Sequence, residues 1–291
     1  ATLLGALHLD RLTILSGLAR PPGWSGKLWA MHQGVALADD FAPDFLLFTD
    51  ADIAHAPDNL SRLVARAGGE KVLVSLMARL SCKTAAEHFL IPAFVFFFAM
   101  LYPFGAVNNP ARRIAAAAGG CMLARRGALE AAGGIAAVRH NIIDDCALAR
   151  AMKGQGPIWL GLTDRAVSLR PYERLSDIRH MVARSAYAEL KYSPARLLGA
   201  LLGLTLVYAA PVLAALFARG PVQWAGAFAW LLMTLMFQPI LRFYRLSPLW
   251  GLALPVIAAV YASFPFDSAI QYWRGRGGMW KGRAQAGEKP A

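Results

Sequence analysis

The chain has 291 residues, of which 57% are hydrophobic and only 16% charged, and this composition excludes both a disordered chain and an ordinary soluble globule. Thirty Lys and Arg against eighteen Asp and Glu give a formal net charge of +12, which favours anionic lipid head groups or phosphorylated substrates as partners. Nucleic acid is not expected as a partner, because neither zinc-finger spacing nor an RNA-binding aromatic signature is present.

The first 190 residues predict an α/β domain, because short apolar runs alternate with amphipathic stretches. The sequence begins without Met and without the basic and apolar regions of a signal peptide, so we expect a chain that starts inside a domain. The expected strands are 12–15, 45–49, 71–76, 121–124 and 158–162. The expected helices are 27–38, 57–67 with Pro57 in its first turn, 126–132 ended by Gly133 and Gly134, and 145–153.

Residues 87–104, EHFLIPAFVFFFAMLYPF, interrupt this pattern. The segment is apolar, rich in Phe and slightly short for a membrane span. A helix that lies in the membrane interface, or lines an acceptor entrance, is our interpretation. A buried core helix is the alternative.

Three stretches near the C-terminus, 197–218, 220–241 and 246–266, contain no Asp, Glu, Lys or Arg. Each has about the 20 apolar residues that cross a hydrocarbon core. Short basic breaks separate them, and a helical bundle in a soluble protein is the alternative. We therefore expect a catalytic domain over 1–190, membrane or interfacial helices over 191–268, and a basic tail over 269–291.

The strongest local motif is FLLFTDADIAH, in which an apolar strand runs into Asp50 and Asp52. Ligands in open α/β sheets bind at the carboxyl ends of strands. Two carboxylates at i and i+2 can both reach one hard cation and its bound phosphate oxygens. A solvated turn or a helix cap is the alternative, and His55 is interpreted as a turn histidine that could also reach the cation.

A second acidic pair, Asp144 and Asp145, stands at the start of an expected helix. A carboxylate there can act as a general base that takes the proton from an attacking hydroxyl. Capping of the helix N-terminus is the alternative, and both readings can hold for neighbouring residues.

Two glycine-containing segments complete the candidate site. GWSGKLWA puts Gly26 and Lys27 at the start of a helix, where backbone N–H groups and an ammonium can meet phosphate. AAGGCMLARRGALEAAGGI combines Gly119 and Gly120 with a strand, so that the backbone can approach a ligand closely. A tight turn explains the second segment equally well.

Taken in order, these motifs resemble the inverting family 2 glycosyltransferases of GT-A fold. The strings LLFTDADIAH, LIPAFVFFFAMLYPF and IIDDCALA, with WRGRGGMWKGR near the end, look most like the hopene-associated glycosyltransferases of bacterial hopanoid gene clusters. The resemblance implies a hexosyltransferase that moves sugar from a nucleotide-diphospho-sugar to a hydroxyl of a membrane lipid. It also implies a multi-pass protein of the bacterial inner membrane with a cytoplasmic catalytic domain.

The resemblance assigns roles to these residues. Asp50 and Asp52 would hold Mg2+ or Mn2+ and the nucleotide, with Gly26, Lys27, Gly119 and Gly120 on the donor side. Asp145 would be the catalytic base, with Asp144 beside it. The family's first Rossmann-like strand and its early Asp are missing, and the (Q/R)xxRW motif has only RHMVARSAY, with Arg179 and Arg184, as its nearest counterpart. A membrane scaffold with a degenerate GT-A domain is the competing function.

The basic tail conflicts with three full crossings, because the positive-inside rule would then be violated if the catalytic half is cytoplasmic. We therefore expect that the stretch 246–266, which contains Pro248, Pro255 and Pro265, re-enters or lies at the interface.

Overall fold

The computed structural model describes residues 12–277, and its N-terminal half is built on one mixed five-stranded sheet. The strand order is β1-β4-β3-β5-β2; β3 and β5 pair in parallel, and the other neighbours pair antiparallel. The strands are β1 Phe45–Thr49, β2 Ile53–His55, β3 Leu73–Arg79, β4 Cys121–Arg125 and β5 Ile158–Ser168. The mixed α/β architecture is therefore confirmed.

Four of the five expected strands are confirmed, and one is wrong. Residues 12–15 form no strand, and the residues from 12 to 20 have no regular secondary structure. The sequence prediction missed β2, which pairs with the distal part of β5 in the register His55 to Ala166. Only three residues form β2, too few for an alternating pattern to be recognised.

Within the described residues of this half, seven α-helices lie before, between and after the strands. They are α1 Gly26–Ala38, α2 Asn59–Ala67, α3 Ala85–Leu101, α4 Phe104–Val107, α5 Arg126–Ala131, α6 Asp144–Lys153 and α7 Leu175–Glu189. The side chain of Ser25 caps α1, and Thr84 with Glu87 forms a capping box at α3. Pro57 lies outside α2 rather than in its first turn, because the helix begins only after its N-cap Asp58.

The central strand β3 is covered on both faces, as its near-continuous apolar sequence requires. Leu73 and Val74 are buried, and the one hydroxyl in the middle of the strand, Ser75, is buried as well. The Ser75 hydroxyl donates to the Ala118 carbonyl and accepts from the Ala118 amide, so that both of its bonds are satisfied. These bonds fix the loop that leads into β4.

Helix α3 corresponds to the Phe-rich segment of the sequence. Leu90, Ile91 and Val95 are buried in one apolar cluster with side chains of the C-terminal helices, such as Phe237 and Tyr261. The helix therefore has an extensive buried face, as a core helix would, whereas Met100 and Leu101 at its end are exposed. Its position relative to a membrane stays a prediction.

The C-terminal part of the described chain contains three helices that are long and apolar enough to cross a membrane, over Pro194–Phe217, Pro221–Phe243 and Pro248–Trp273. The first consists of α8 Pro194–Leu204, a π-helical turn Thr205–Ala209 and α9 Ala210–Phe217; the second is α10 Pro221–Phe243; the third is a 3-10 segment Pro248–Ala253 followed by α11 Leu254–Trp273. These bounds agree with the expected stretches to within a few residues, apart from the later end of the third.

Candidate active site

Lys27 lies at the centre of the candidate site. It follows Gly26 in the first turn of α1, and its Nζ lies 3.0 Å from Oδ2 of Asp144 and 3.7 Å from Oδ1 of Asp50. The structure therefore brings together three residues that are separated by up to 117 positions in the chain. One ammonium is shared between two carboxylates.

Asp50 occupies the position that its strand requires, directly after the last residue of β1. Its amide donates to the Gly120 carbonyl at 3.4 Å, and its own carbonyl accepts from the Ile53 amide at 3.2 Å. These two bonds hold the turn between β1 and β2 against the loop that precedes β4. The Asp50 side chain remains about half exposed, so it is accessible to a ligand.

Asp145 is held from two directions at the start of α6. Its Oδ2 accepts from the Gly119 amide at 2.9 Å, and its Oδ1 accepts from the Cys146 amide at 2.8 Å. The second bond is a contact of the helix N-terminus, so the capping interpretation and a catalytic role are compatible. A Cβ on Gly119 would lie 3.1 Å from Lys27 Nζ and 3.3 Å from Asp145 Oδ2, which explains why glycine suits this position.

The charges of the cluster perturb one another. Burial raises the pKa of Asp145 to about 6, and the adjacent charge of Asp144 adds to the rise, while Lys27 opposes it. Burial alone would lower the pKa of Lys27, but the charges of Asp144, Asp50 and Asp145 outweigh burial and raise it above its ordinary value. Lys27 thus stays protonated, and Asp145 titrates close to neutral pH.

The charges of Asp52 and Lys27 shift the pKa of Asp50 in opposite directions. Burial raises the pKa of Asp50; Lys27 lowers it, and the charge of Asp52 raises it. Asp52 also contributes to the raised pKa of Tyr172, for which burial is again the main cause. The charge of Asp52 thus acts on the pKa values of Asp50 and Tyr172, whereas the Lys27 ion pairs are made by Asp50 and Asp144.

Tyr172, in the segment after β5, makes a long-range contact that the sequence did not reveal. Its amide donates to Oε1 of the buried Glu87 at 2.8 Å, and Glu87 Oε2 accepts from the amides of Lys83 and Thr84. One carboxylate therefore joins the segment after β5 to the start of α3. A single acidic residue in an apolar helix was the only sequence signal for this connection.

The two arginines of RHMVARSAY have different surroundings. Arg179 Nε lies 3.3 Å from Oδ2 of Asp267 in α11. Burial raises the pKa values of Asp50 and Tyr172, and the charge of Arg184 opposes both rises. Of the two arginines, Arg184 is therefore the one whose charge acts on the candidate site, and Arg179 joins α7 to the C-terminal helices.

Other sequence candidates fall outside the cluster. His55 is the last residue of strand β2 and not a turn residue. Both of its ring nitrogens are used, by the Thr49 hydroxyl at 2.8 Å and by Asn59 Nδ2 at 2.9 Å. Arg125 and Arg126 bond to backbone carbonyls at the opposite end of β4. Within residues 12–277, no group of three or more His, Cys, Asp or Glu side chains is arranged to hold a metal ion.

The chain belongs to glycosyltransferase family 21: the model of that family, glycosyl transferase family 21, matches residues 13–277. This finding confirms a glycosyltransferase and corrects the sequence-based assignment to family 2. No curated protein matches the chain.

Proposed function

We propose that this chain is an inverting hexosyltransferase of GT-A type that moves a sugar from a nucleotide-diphospho-sugar to a hydroxyl group of a membrane lipid. The observation that carries the proposal is the convergence of Lys27, Asp50, Asp144 and Asp145 at one end of the sheet, with Gly119 against them. A cation and several carboxylates around a glycine backbone suit a diphosphate donor and a hydroxyl acceptor. Family membership supports the transfer of a sugar.

Asp50 and Asp52 fit a divalent cation, Mg2+ or Mn2+, as ligands from the protein. Burial is the main cause of the raised pKa of Asp50, and repulsion from Asp52 adds to it; a bound cation would relieve that repulsion. Both residues lie at the end of an apolar strand, and oxygen ligands are those that such cations prefer. When bound, the cation would neutralise negative charge on the departing diphosphate. Lys27 supplies further positive charge from the protein itself.

Asp145 is the proposed general base. In the proposed step the acceptor hydroxyl gives its proton to Asp145, its oxygen forms a bond to the anomeric carbon, and the bond from that carbon to the diphosphate breaks. Direct displacement of this kind inverts the anomeric centre and needs no covalent enzyme intermediate. Because burial and Asp144 raise the pKa of Asp145 to about 6, turnover should fall as the pH drops through about 6.

A lipid acceptor is proposed because the candidate site is next to the apolar helices. The Leu169 amide donates to the Asp52 carbonyl at 2.7 Å, and Tyr172, three residues later, is buried in the same apolar cluster as residues of α10 and α11. The resemblance to hopene-associated glycosyltransferases suggests a hopanoid-related lipid and the inner membrane of a bacterium. Lipid analysis of a strain lacking the gene tests the acceptor class, since the unglycosylated acceptor should accumulate.

The central experiment measures release of nucleoside diphosphate from a panel of sugar nucleotides by the membrane-reconstituted protein, with Mn2+ and a lipid extract. We expect Asp145→Asn to bind the donor nearly as well as the native protein and to lower turnover by about 10²-fold or more. Asp164→Asn is the matched control, because Asp164 is an exposed aspartate on the distal part of β5.

Two outcomes would contradict the proposal. Absence of donor cleavage by the native protein with every sugar nucleotide and lipid fraction would favour the scaffold interpretation. Equal turnover of Asp145→Asn and Asp164→Asn would remove Asp145 from the catalytic role. Loss of folding in Asp145→Asn, measured by thermal unfolding, would assign this carboxylate to helix capping instead.

A further inference from the structure

The first two apolar helices form an antiparallel hairpin. Gln223 Nε2 in α10 donates to the Ala215 carbonyl in α9 at 3.2 Å. Gly226 lies so close to α9 that a Cβ on it would be 2.6 Å from the Ala215 amide nitrogen. With about 1.5 Å of rise per residue, each arm is about 35 Å long, enough to cross a hydrocarbon core of about 30 Å. The start of α8 and the end of α10 therefore lie on the same side of the hairpin.

The third apolar segment begins beside the end of α10. Gln238 Nε2 donates to the Pro248 carbonyl at 3.1 Å, and Trp230 Nε1 donates to the Leu252 carbonyl at 3.1 Å. The 3-10 segment thus runs back along the last part of α10. The Trp250 ring contacts Phe89 in the first turns of α3, with ring centroids 6.2 Å apart. The beginning of the third segment is consequently next to the catalytic half.

The same segment ends beside the start of α8. Tyr272 stacks on Tyr192, which lies just before α8, with ring centroids 4.5 Å apart. Ala269 packs in one apolar cluster with Leu197 in the first turn of α8. The Ser268 hydroxyl accepts from the Tyr187 amide of α7 at 3.1 Å. The end of the third segment is therefore also next to the catalytic half.

We propose that the chain crosses the membrane twice, and that Pro248–Trp273 is a re-entrant element that returns to the side from which it starts. Both ends of this element lie on the side of the hairpin where α8 begins and α10 ends. A third full crossing would instead put its second end on the opposite side. The proposal rests on membrane association and is independent of the proposed sugar transfer.

The distribution of charge supports the same topology. Arg242 lies in the last turn of α10 and Arg245 follows that helix, while Arg274 and Arg276 follow α11. Two crossings put all four on the catalytic side, and leave Arg219 in the turn of the hairpin on the opposite side. This arrangement satisfies the positive-inside rule for a cytoplasmic catalytic half. The further basic residues of the expected tail, Lys281, Arg283 and Lys289, lie outside the described residues.

The exposed face of the re-entrant element indicates which lipids it meets. Its outward side chains recur at intervals of three, four or seven residues and are apolar apart from one serine: Leu249, Leu252, Val256, Ala259, Ser263, Phe266 and Trp273. The opposite face packs on α3, α7 and α8. An apolar stripe of this kind contacts the acyl chains of one leaflet. That leaflet, on the catalytic side, would supply the lipid acceptor.

The test uses single reporter cysteines in a Cys82→Ser background, since Cys121 and Cys146 are buried. The reporters are Glu70→Cys in the catalytic half, Pro221→Cys and Val222→Cys at the hairpin turn, Ser247→Cys before the third segment, and Arg274→Cys and Arg276→Cys after it. All six native side chains are exposed. A charged, membrane-impermeant maleimide is added to intact cells and then to permeabilised cells.

We expect the two hairpin reporters to be modified in intact cells and the other four only after permeabilisation. If Arg274→Cys and Arg276→Cys are modified in intact cells, as the hairpin reporters are, while Glu70→Cys is not, the chain crosses the membrane three times and the proposal is overturned. Paired positions guard against one substitution that disturbs insertion. Because labelling needs no turnover, an inactive protein with two crossings would refute the proposed transferase function and leave this inference intact.

Discussion

In the sheet half, β3 buries Val74 completely, whereas in the C-terminal half α10 leaves 74% of Trp224 and 70% of Met236 exposed. Buried polar side chains occur in both halves, but the partly exposed charged cluster lies in the sheet half. Asp50 and Lys27 in the sheet half are partly accessible around a charged site, whereas the hydroxyls of Thr234 and Ser268 in the C-terminal half point inward and are buried. The surface of the sheet half thus suits water, whereas the surface of the C-terminal half suits lipid.

This contrast explains how one chain can place a charged site next to lipid. Large exposed apolar surfaces are unfavourable in water and mark a membrane or a partner, while inward polar groups are satisfied by neighbouring helices. The two halves meet at α3 and α7, which pack against both the sheet and the apolar helices. Variants in each half should therefore fail in different ways.

The largest expected effect in the sheet half is that of Asp52→Ala. We expect it to abolish metal-dependent binding of the sugar nucleotide, because the remaining carboxylate of Asp50 cannot hold both the cation and the diphosphate. Calorimetric titration of the donor in the presence of Mn2+ measures the loss. Asp40→Ala, at an exposed position before β1, is the control. Unchanged affinity in Asp52→Ala would remove Asp52 from the site.

Next in size is the effect of Lys27→Met, which leaves the acidic cluster without its ammonium. Burial already raises the pKa of Asp145, and Lys27 is the charge that lowers it, so the pKa should rise further in the variant. A base must be ionised, and the decline of turnover at low pH should therefore begin at a higher pH than in the native protein. Donor binding should weaken by about tenfold, the effect of about 1.4 kcal/mol.

The pH profile of turnover separates this role from a structural one. Lys27→Arg keeps the positive charge and should restore most of the native profile, although the planar guanidinium cannot occupy the same point between Asp50 and Asp144. A profile of Lys27→Met that coincides with the native one, at reduced rate, would show that Lys27 does not control the ionisation of Asp145.

Much of this arrangement follows from the sequence, for reasons that particular elements make clear. Apolar runs bounded by glycine or acidic residues predicted β1, β3, β4 and β5, and long uncharged runs predicted the three apolar helices. Asp50 and Asp145 were candidates because each follows a clear element boundary. Their proximity to Lys27 was implied only by the family resemblance.

The remaining features depend on long-range contacts that no local pattern encodes. The segment after β5 is fixed to α3 because Glu87, 85 residues before Tyr172, accepts from the Tyr172 amide. Strand β2 exists because β5 is long enough to pair with it after its parallel ladder with β3. The pairing of Asp144, rather than Asp52, with Lys27 depends on how α6 is docked against α1.

A smaller effect is expected from Ser75→Ala in the centre of β3. The variant would leave the amide of Ala118 without its partner and the carbonyl of Ala118 with only the Cys121 amide as a donor, at a cost of about 1–3 kcal/mol in the free energy of unfolding. Ser61→Ala is the control, because the Ser61 hydroxyl is exposed and bonds only within its own helix turn. Because Ala118 precedes Gly119, turnover should fall in Ser75→Ala more than donor affinity. Equal stability of the two variants would contradict this anchoring role.

The smallest effect should come from the corresponding change in the other half, Ser268→Ala. The Ser268 hydroxyl bonds to the Ala183 carbonyl and the Tyr187 amide, and so joins α11 to the backbone of α7. Hydrogen bonds between helices in a membrane average only about 0.6 kcal/mol, because the alternative states also find partners. Ser263→Ala, on the exposed stripe of α11 where the hydroxyl bonds to its own helix, should cost less still. Thermal unfolding of both variants in the same lipid measures the difference. If Ser268→Ala destabilises the protein as much as Ser75→Ala does, the hydrogen bonds between α7 and the end of α11 are as strong as those of the water-surrounded sheet half. Ser268 would then lie outside the lipid environment.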